Sequence, residues 1–384
     1  MTAVGELERR WLSGAFASLC RIESPSGRER ACAEMVSSEL AAAGIEVQED
    51  EAGPRAGSDC GNLLARIPGP GRGRSVLLCA HLDTVPLLAP VDPVLTDGVW
   101  ENANEGILGA DNKAAVAVLL ALARHAAGER PPVDLELLFT VGEEVALAGA
   151  RAFDVSSLRS EFGYVFDHAS PIGEVVMASP SHFRIEAEFR GAAAHAGIRP
   201  QDGRSAVLAA ARAIASLPHG RLDDDTTVNV GTITGGTAMN VVPELCTVLA
   251  EVRSIDEDRG DRVTAGIVDR IHDAANLPDC DCDVDISVQR TFSGYRLSPQ
   301  DPAVRVADAA LRACGREPVA ISSGGGSDAN ALIAGGFPTV NLANGTERNH
   351  EPGERVAEAA LQEMFDVALS LLQSAAELAP AAAV

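Results

Sequence analysis

Apolar residues follow two alternating patterns through roughly the first 180 positions of the chain. Apolar positions spaced about 3.6 residues apart predict helices over 5–22, 26–44 and 112–127, with Ser26 as a cap of the second helix. Short apolar runs between them predict strands at "NLLARIP", "SVLLCA", "DLELLFTV" and "GYVFD". This alternation favours a mixed or parallel sheet covered by helices on both faces, which is the α/β class.

The pattern changes near residue 180. The segment "SHFRIEAEFRG" alternates apolar and polar residues, which is typical of a strand with one wet face. A helix at 203–217, the strands "TTVNVGTITGG" and "CTVLAEVRS", a helix near 257–275 and the strand "DVDISVQR" follow. This β-α-β-β-α-β order predicts a ferredoxin-like domain inserted into the larger one.

The α/β pattern returns after the insertion. Helices are predicted at 302–314, 328–335 and 354–378, with the strands "PVAIS" and "PTVNLA" between them. The chain is therefore divided into a first catalytic segment, an inserted α+β lid and a second catalytic segment, at residues 1–179, 180–293 and 294–384.

Composition narrows the possible partners. The 384 residues suffice for two domains, and 46% are hydrophobic. The net charge of −24 disfavours nucleic acid and anionic membranes. We expect no signal peptide and no membrane span. Eight scattered cysteines predict reduced thiols in a cytoplasmic protein, with Cys280 and Cys282 as a surface pair.

Polar residues of metal-binding type follow several predicted strands. Ligands of open α/β sheets bind at the carboxyl ends of the strands, so residues distant in sequence are expected to meet there. Five separate segments contribute candidates: His81 with Asp83, Asp111, Glu143 with Glu144, Asp167, and His350.

Each candidate has an ordinary structural explanation when taken alone. Asp111 fits a helix cap, adjacent glutamates are usually a solvated corner, and a histidine in a loop rich in Gly and Asn is usually exposed. Together they favour a shared metal site. Two histidines with three or four carboxylates suit a pair of Zn²⁺ ions, with Mn²⁺ or Co²⁺ as substitutes.

Two spacings within this set suggest more specific roles. Asp83 lies two residues from His81, on the same side of an extended segment, so its carboxylate can accept the second imidazole N–H. Glu143 and Glu144 point in different directions. One can therefore bind metal while the other takes a proton from the attacking water, and the spacing does not say which. Three further histidines, His125, His219 and His272, are expected to be exposed.

Several segments resemble one known family, the M20 dinuclear zinc peptidases. The similar motifs span about residues 20 to 375 and are closest in pattern to the peptidase-T-like branch of tripeptide aminopeptidases: "AHLDTVP", "GILGADNKAAVAVLLAL", "LLFTVGEEVALAGARAFD", "GYVFDHASPIGEVV", "GAAAHAGIRPQDGRSAV", "GTITGGTAMNVVPELCTVLAEVRS" and "SSGGGSDANALIAGGFPTVNLANGTERNHEP". The resemblance implies a zinc-exopeptidase-like α/β catalytic domain with a ferredoxin-like lid that dimerises.

The resemblance also implies roles for the candidate metal ligands. His81 and Asp167 would hold one zinc, Glu144 and His350 the other, and Asp111 would bridge them. It further implies that Glu143 is the general base, that Asp83 orients its neighbours, and that the peptide bond between Asp111 and Asn112 is cis.

Three lid residues complete the set that the resemblance implies. His195 would stabilise the oxyanion at the active site of the partner subunit in a homodimer. Asn240 and Arg253 would bind substrate, Arg253 through a terminal carboxylate. A turn residue and a surface ion pair are the respective structural alternatives for these two.

The expected function is that of a two-zinc exopeptidase on short peptides, most specifically an aminopeptidase of the tripeptidase type. Only 30 positions separate His81 from Asp111, fewer than in tripeptidases of the family, and this loop helps to shape the pocket. An N-acyl-amino-acid amidohydrolase, a dipeptidase or a carboxypeptidase therefore remain as alternatives. A metal-free binding protein on the same fold is the alternative outside this class.

Overall fold

The computed structural model describes residues 5–70 and 74–378 of the chain. One helix has the sequence "AAVAVLLALA" at its centre, which is apolar on every side and therefore suits a core position. The helices in chain order are α1 (Glu6–Cys20), α2 (Arg30–Ala42), α3 (Gly53–Ala56), α4 (Ala110–Gly128), α5 (Ala148–Ala152), α6 (Ala206–Ser216), α7 (Glu257–Ala275), α8 (Pro302–Ala313), α9 (Asp328–Ala334) and α10 (Glu358–Glu377).

The strands range from two-residue pairings to ten-residue segments. In chain order they are β1 (Val47–Glu49), β2 (Leu63–Ile67), β3 (Ser75–His81), β4 (Pro93–Thr96), β5 (Val99–Asn102), β6 (Asp134–Thr140), β7 (Phe162–His168), β8 (Glu174–Ser179), β9 (Ser181–Arg190), β10 (Gly220–Arg221), β11 (Thr226–Gly235), β12 (Leu245–Ser254), β13 (Asp283–Phe292), β14 (Tyr295–Arg296), β15 (Val319–Ser322), β16 (Thr339–Ala343), β17 (Thr346–Glu347) and β18 (Arg355–Ala357).

The larger of two structural units contains the mixed sheet. It comprises the described chain up to Met177 together with 297–323 and the described residues from 327 onward. Its strands run in the order β1-β2-β6-β3-β7-β16-β8, and β15 also pairs with β8. Strand β3 is parallel to β6 and β7, and β7 is parallel to β16, so the carboxyl ends of these four strands lie at one edge. A small antiparallel sheet, β17-β18-β5-β4, belongs to the same unit.

The inserted unit runs from Ala178 to Arg296 and includes Gly324–Gly326. Its antiparallel sheet has the order β10-β11-β12-β9-β13. It contains the four predicted strands and, at one edge, the additional two-residue strand β10. Inward residues of the strands, such as Phe183 and Phe189, pack against apolar residues of α6 and α7, such as Ala209 and Ile271. The alternating pattern of β9 therefore places one face of the sheet against the two helices.

The fold class predicted from the sequence is confirmed: a mixed sheet flanked by helices, with a ferredoxin-like β-α-β-β-α-β unit inserted. None of the helices in the described ranges combines the length and hydropathy that crossing a bilayer requires.

Some local predictions were wrong. Ser26 does not cap α2, because its hydroxyl donates to Asp83 instead. Cys280 and Cys282 are buried in the core of the inserted unit rather than exposed. All eight cysteines are free thiols, as expected. His125 is also buried, with its Nδ1 atom 2.7 Å from Glu8 Oε1.

Candidate metal centre

The predicted ligands of the larger unit lie just beyond the ends of its parallel strands. His81 is the last residue of β3, Asp167 lies near the end of β7, and the Glu143–Glu144 pair follows β6. Asp111 lies in the first turn of α4, and His350 lies in the loop between β17 and β18. The strand order β6-β3-β7-β16 brings these segments to the same edge of the sheet.

Two groups of donor atoms share the Asp111 carboxylate. In the first group, His81 Nε2 lies 3.3 Å from Asp111 Oδ1 and 3.5 Å from Asp167 Oδ1. In the second, His350 Nε2 lies 3.2 Å from Asp111 Oδ2 and 2.9 Å from Glu144 Oε1. Each oxygen of Asp111 therefore faces a different histidine, which is the arrangement of a bridging ligand.

The electrostatics of the cluster fit bound divalent cations. Burial raises the pKa of Asp167 to about 8, and burial together with the charge of Asp167 raises the pKa of Glu143 well above its usual range. A hydrogen bond to the Asp111 carboxylate, together with the nearby charge of Glu144, raises the pKa of His350 to about 10. These shifts indicate more buried negative charge than protein cations offset, and two His-carboxylate groups are a donor set that suits zinc.

One buried oxygen supports the same conclusion. Glu144 Oε1 accepts no hydrogen bond from any residue in the described ranges, although His350 Nε2 lies nearby. A buried polar atom without a partner is costly, so the atom is placed as a metal ligand would be.

The two adjacent glutamates occupy different surroundings. Glu144 belongs to the group of Asp111 and His350, whereas Glu143 lies near His81 and Glu144. The turn before them requires Gly142, whose φ is +60° and where an added Cβ would lie 3.2 Å from a Val145 methyl carbon.

The carboxylate of Asp83 holds this turn more directly than it holds the histidine. It accepts hydrogen bonds from the backbone N–H groups of Glu143 (2.9 Å) and Glu144 (3.1 Å) and from the Ser26 hydroxyl (2.7 Å). His81 Nδ1 lies 2.9 Å from the backbone carbonyl oxygen of Asp83, but 3.4 Å from its carboxylate. The predicted imidazole–carboxylate contact is therefore mainly a contact with the backbone.

Further polar residues around the ligands were missed by the sequence analysis. Asn112 Nδ2 donates to Asp167 Oδ1 (3.2 Å), and Asn341 Oδ1 accepts from the Asp167 backbone N–H (3.0 Å). Asn341 is 3% exposed within a fully buried strand, and a polar residue in such an apolar run was an available signal. Asp328 is fully buried, and burial raises its pKa to about 6.

Two buried glutamates hold backbone segments that carry site residues. Glu29 Oε1 accepts from the N–H of Gly142 (3.1 Å), next to Glu143. Glu354 accepts from three backbone N–H groups between Leu108 and Asp111. Neither is distinguishable in sequence from a surface glutamate, because only the tertiary fold supplies the N–H partners. The peptide bond between Asp111 and Asn112 is cis, which confirms the prediction.

The predicted lid residues lie in the inserted unit, at its surface or on its sheet. His195 and Asn240 are both exposed, and their loops are paired through the Ala196 N–H, which donates to the Asn240 carbonyl (3.0 Å). Arg253 lies on β12 and pairs with Glu251 at 3.2 Å. Glu251 also contacts His182 (2.9 Å), and this hydrogen bond lowers the Glu251 pKa to about 2.

Comparison with known proteins adds two family matches. Residues 180–276 match the M20 peptidase dimerisation domain, and residues 62–196 match peptidase family M28. The first match lies within the inserted unit, and most of the second lies within the larger one.

Similar proteins extend over nearly the whole chain. The crystal structure of aminopeptidase PepT from Bacillus cereus is 32% identical, with a TM-score of 0.85, and the match covers 96% of this chain and 99% of that one. A tripeptidase from Staphylococcus aureus is 29% identical, with a TM-score of 0.90 and the same coverage. The acetylornithine deacetylase of Myxococcus xanthus is 30% identical over 83% of this chain and 84% of its own length.

Proposed function

Because this chain belongs to the M20 family of metallopeptidases, we propose that it is a two-metal aminopeptidase that acts on short peptides, in the manner of a tripeptidase. The observation that carries the proposal is the Asp111 carboxylate, whose two oxygens face two separate His-carboxylate groups. The similarity to an aminopeptidase and a tripeptidase over 96% of the chain supports the choice of substrate class.

The five ligands divide between two ions. His81 and Asp167 would hold one, Glu144 and His350 the other, and Asp111 both. We propose zinc, with manganese or cobalt as the alternatives, since imidazole and carboxylate donors suit these ions. Such a pair, when bound, polarises the scissile carbonyl and makes water acidic enough to attack near neutral pH.

Glu143 is the proposed general base and acid. Its carboxylate would take a proton from the attacking water as the new C–O bond forms. It would return that proton to the amine nitrogen as the C–N bond breaks, so that the peptide yields a free carboxylate and a free amine. Asp83 supports this role because its carboxylate fixes the backbone N–H groups of Glu143 and Glu144.

Three lid residues would complete the site. We propose that the chain forms a homodimer through its inserted unit and that His195 donates a hydrogen bond to the developing oxyanion in the partner's active site. Asn240 and Arg253 would bind the substrate, with Arg253 directed at its terminal carboxylate. The match to a peptidase dimerisation domain and the exposure of His195 and Asn240 support this arrangement.

A cytoplasmic location is proposed as well. All eight cysteines are free and seven of them are buried, which suits a reducing compartment. A peptidase for short peptides would find its substrates there as products of protein breakdown.

A second candidate function is the hydrolysis of N-acyl amino acids. The similarity to an acetylornithine deacetylase over 83% of the chain favours it, and the amide chemistry is the same. The two candidates differ in whether the substrate carries a free amino terminus.

A hydrolysis panel separates them. We expect tripeptides with free amino termini to be cleaved faster than dipeptides, and N-acetylated or N-succinylated amino acids to be poor substrates. Faster release of acetate or succinate than of an amino-terminal residue would replace the aminopeptidase with the deacylase.

A further inference from the structure

The carboxylate of Glu354 is buried against the start of α4. The residue is 1% exposed. Its Oε2 atom accepts hydrogen bonds from the backbone N–H groups of Leu108 (2.9 Å) and Gly109 (2.7 Å), and its Oε1 atom accepts from that of Asp111 (2.8 Å). The first N–H groups of a helix, such as that of Asp111, lack partners within it, and Leu108 and Gly109 directly precede α4, so one side chain satisfies three backbone donors.

The same short segment contacts Asp111 twice. His350 precedes Glu354 by four residues, and its Nε2 atom lies 3.2 Å from the Asp111 carboxylate, while Glu354 holds the Asp111 backbone. The turn between them passes through Gly353 at φ +86°, where an added Cβ would lie 2.8 Å from the Arg348 guanidinium. This turn allows both side chains to reach the same residue.

Burial raises the pKa of the Glu354 carboxyl to about 7, but the three backbone N–H donors favour its ionised form. An ionised carboxylate makes shorter and stronger hydrogen bonds to N–H groups than a neutral acceptor does, and the start of a helix favours negative charge. A side-chain amide at this position would keep one oxygen but would turn its NH₂ group toward backbone N–H donors. Neutral glutamine therefore cannot reproduce the three bonds.

We infer that Glu354 is a positioning residue of the metal centre, which joins the backbone of the shared ligand Asp111 to the segment that carries His350 and thereby sets the affinity for the ion held by Asp111, Glu144 and His350. This inference rests on the proposed two-metal function. Glu354 itself would bind neither metal nor substrate.

Glu136 is a matched control within the same chain. It is also buried, and its Oε2 atom accepts from the backbone N–H groups of Arg159 (2.9 Å) and Ser160 (2.8 Å). Glu136 lies near the start of β6, whereas Glu143 follows the end of that strand. Loss of its carboxylate therefore perturbs the backbone without perturbing the metal centre.

The test measures metal affinity directly. The full-length protein is stripped with a chelator and titrated with Zn²⁺ in competition with a chromophoric chelator, for wild type, Glu354→Gln, Glu136→Gln, His350→Ala and the double variant His350→Ala/Glu354→Gln. We expect Glu354→Gln to weaken the ion held with His350 about 10- to 100-fold, as for other residues that support a ligand, and the second ion less, because only Asp111 links it to Glu354. Glu136→Gln should bind both ions as wild type does.

The double variant identifies which ion is affected. His350→Ala should lose the same ion. Adding Glu354→Gln to His350→Ala should then lower the metal affinity much less than Glu354→Gln lowers it in wild type, because the effects of coupled residues are not additive. Wild-type affinity for both ions in Glu354→Gln, an equal loss in Glu136→Gln, or full additivity with His350→Ala would each overturn the inference. If wild type bound no ion, the proposed function itself would fail instead.

A second variant covers poor folding of Glu354→Gln, which circular dichroism of the stripped protein would reveal. Glu354→Asp keeps the charge but is one methylene too short to reach all three N–H groups. It should weaken the same ion several-fold and the other ion less. Unchanged affinity for both ions in Glu354→Asp would contradict the positioning role.

Discussion

Most predicted site residues of the larger unit are buried or half-buried, with the exposed His350 as the exception, whereas those on the loops of the inserted unit are exposed. In the larger unit, His81 and Asp83 are 1% and 0% exposed, and neighbouring side chains and backbone groups hold the ligands in place. In the inserted unit, His195 and Asn240 lie at the surface on loops, and Met239 beside Asn240 is fully exposed. The site residues of the larger unit are held in place by contacts within that unit. Those on the loops of the inserted unit are accessible to a ligand or to another chain.

This difference follows from what each set is proposed to do. Several carboxylates can share a small buried space only where the fold holds them rigidly and a cation offsets their charge. Residues that meet a substrate or a second subunit must instead be exposed before they bind. We therefore propose that the larger unit supplies the reaction centre and that the inserted unit supplies groups that reach an active site from outside.

The largest expected effect separates the adjacent glutamates Glu143 and Glu144. Glu143→Ala should keep both metals and lower kcat roughly 10²- to 10⁴-fold, the usual contribution of a positioned acid–base group. Glu144→Ala should lose metal, because Glu144 lies with Asp111 and His350. Metal analysis and steady-state kinetics of both variants provide the test. Loss of metal in Glu143→Ala alone would mean that the two roles are reversed.

The next effect concerns the exposed set. His195→Ala should lower kcat roughly 10²- to 10³-fold, as the loss of an oxyanion donor does, and should keep both metals. The exposed lid histidine His219 is the control, and His219→Ala should be active.

Mixing tests whether His195 serves the partner. Co-expressed His195→Ala and Glu143→Ala chains should form hybrids in about half of the dimers, each with one complete site, so roughly a quarter of all sites should work. Hybrid dimers confirmed by mass but without recovered activity would place His195 in its own subunit.

A smaller effect tests how the buried set is held. Asp83→Asn replaces an acceptor of two backbone N–H groups with an amide, and kcat should fall about 10- to 100-fold. Ser26→Ala removes only the hydroxyl that donates to the same carboxylate, and one hydrogen bond of about 0.5–1.5 kcal/mol corresponds to roughly 2- to 10-fold. Equal effects of the two substitutions would argue against a special role for the Asp83 charge.

The smallest effect concerns Arg253. If it binds the terminal carboxylate, Arg253→Ala should raise KM about 10-fold, or about 1.4 kcal/mol, for peptides with a free carboxyl terminus. Peptides with an amidated terminus should show no such change. Arg184→Ala is the control, since Arg184 lies on neighbouring β9 and pairs with Glu186. An equal rise in KM for amidated peptides would favour the simple ion pair with Glu251.

The sequence predicted those parts of the fold whose pattern is local. Helix α7 was predicted with the observed bounds because its apolar stripe repeats regularly. Short strands such as β5 and β18 were missed, since their pairing with each other, and not their own composition, makes them strands. The burial of Cys280 was not predicted, because its acidic neighbours in the sequence are exposed while its own side chain turns into the core.

The candidate site divides in the same way. Residues that follow apolar strands, such as His81, could be found by position along the chain. Residues that act through backbone N–H groups far away in sequence, such as Glu29 and Glu354, could not, because nothing in their own neighbourhood marks them. Ser26 is a similar case. The local pattern predicted that it caps a helix, but its hydroxyl donates a hydrogen bond to Asp83, which is distant in sequence.

The central claim is that the buried set of the larger unit holds two metal ions. The most direct test is elemental analysis of the protein after purification without chelators or added metal. We predict close to two ions per chain, summed over zinc, manganese and cobalt. A sum near zero, in protein that is folded and does not take up these ions when they are supplied, would contradict the claim and would favour a metal-free binding protein on the same fold.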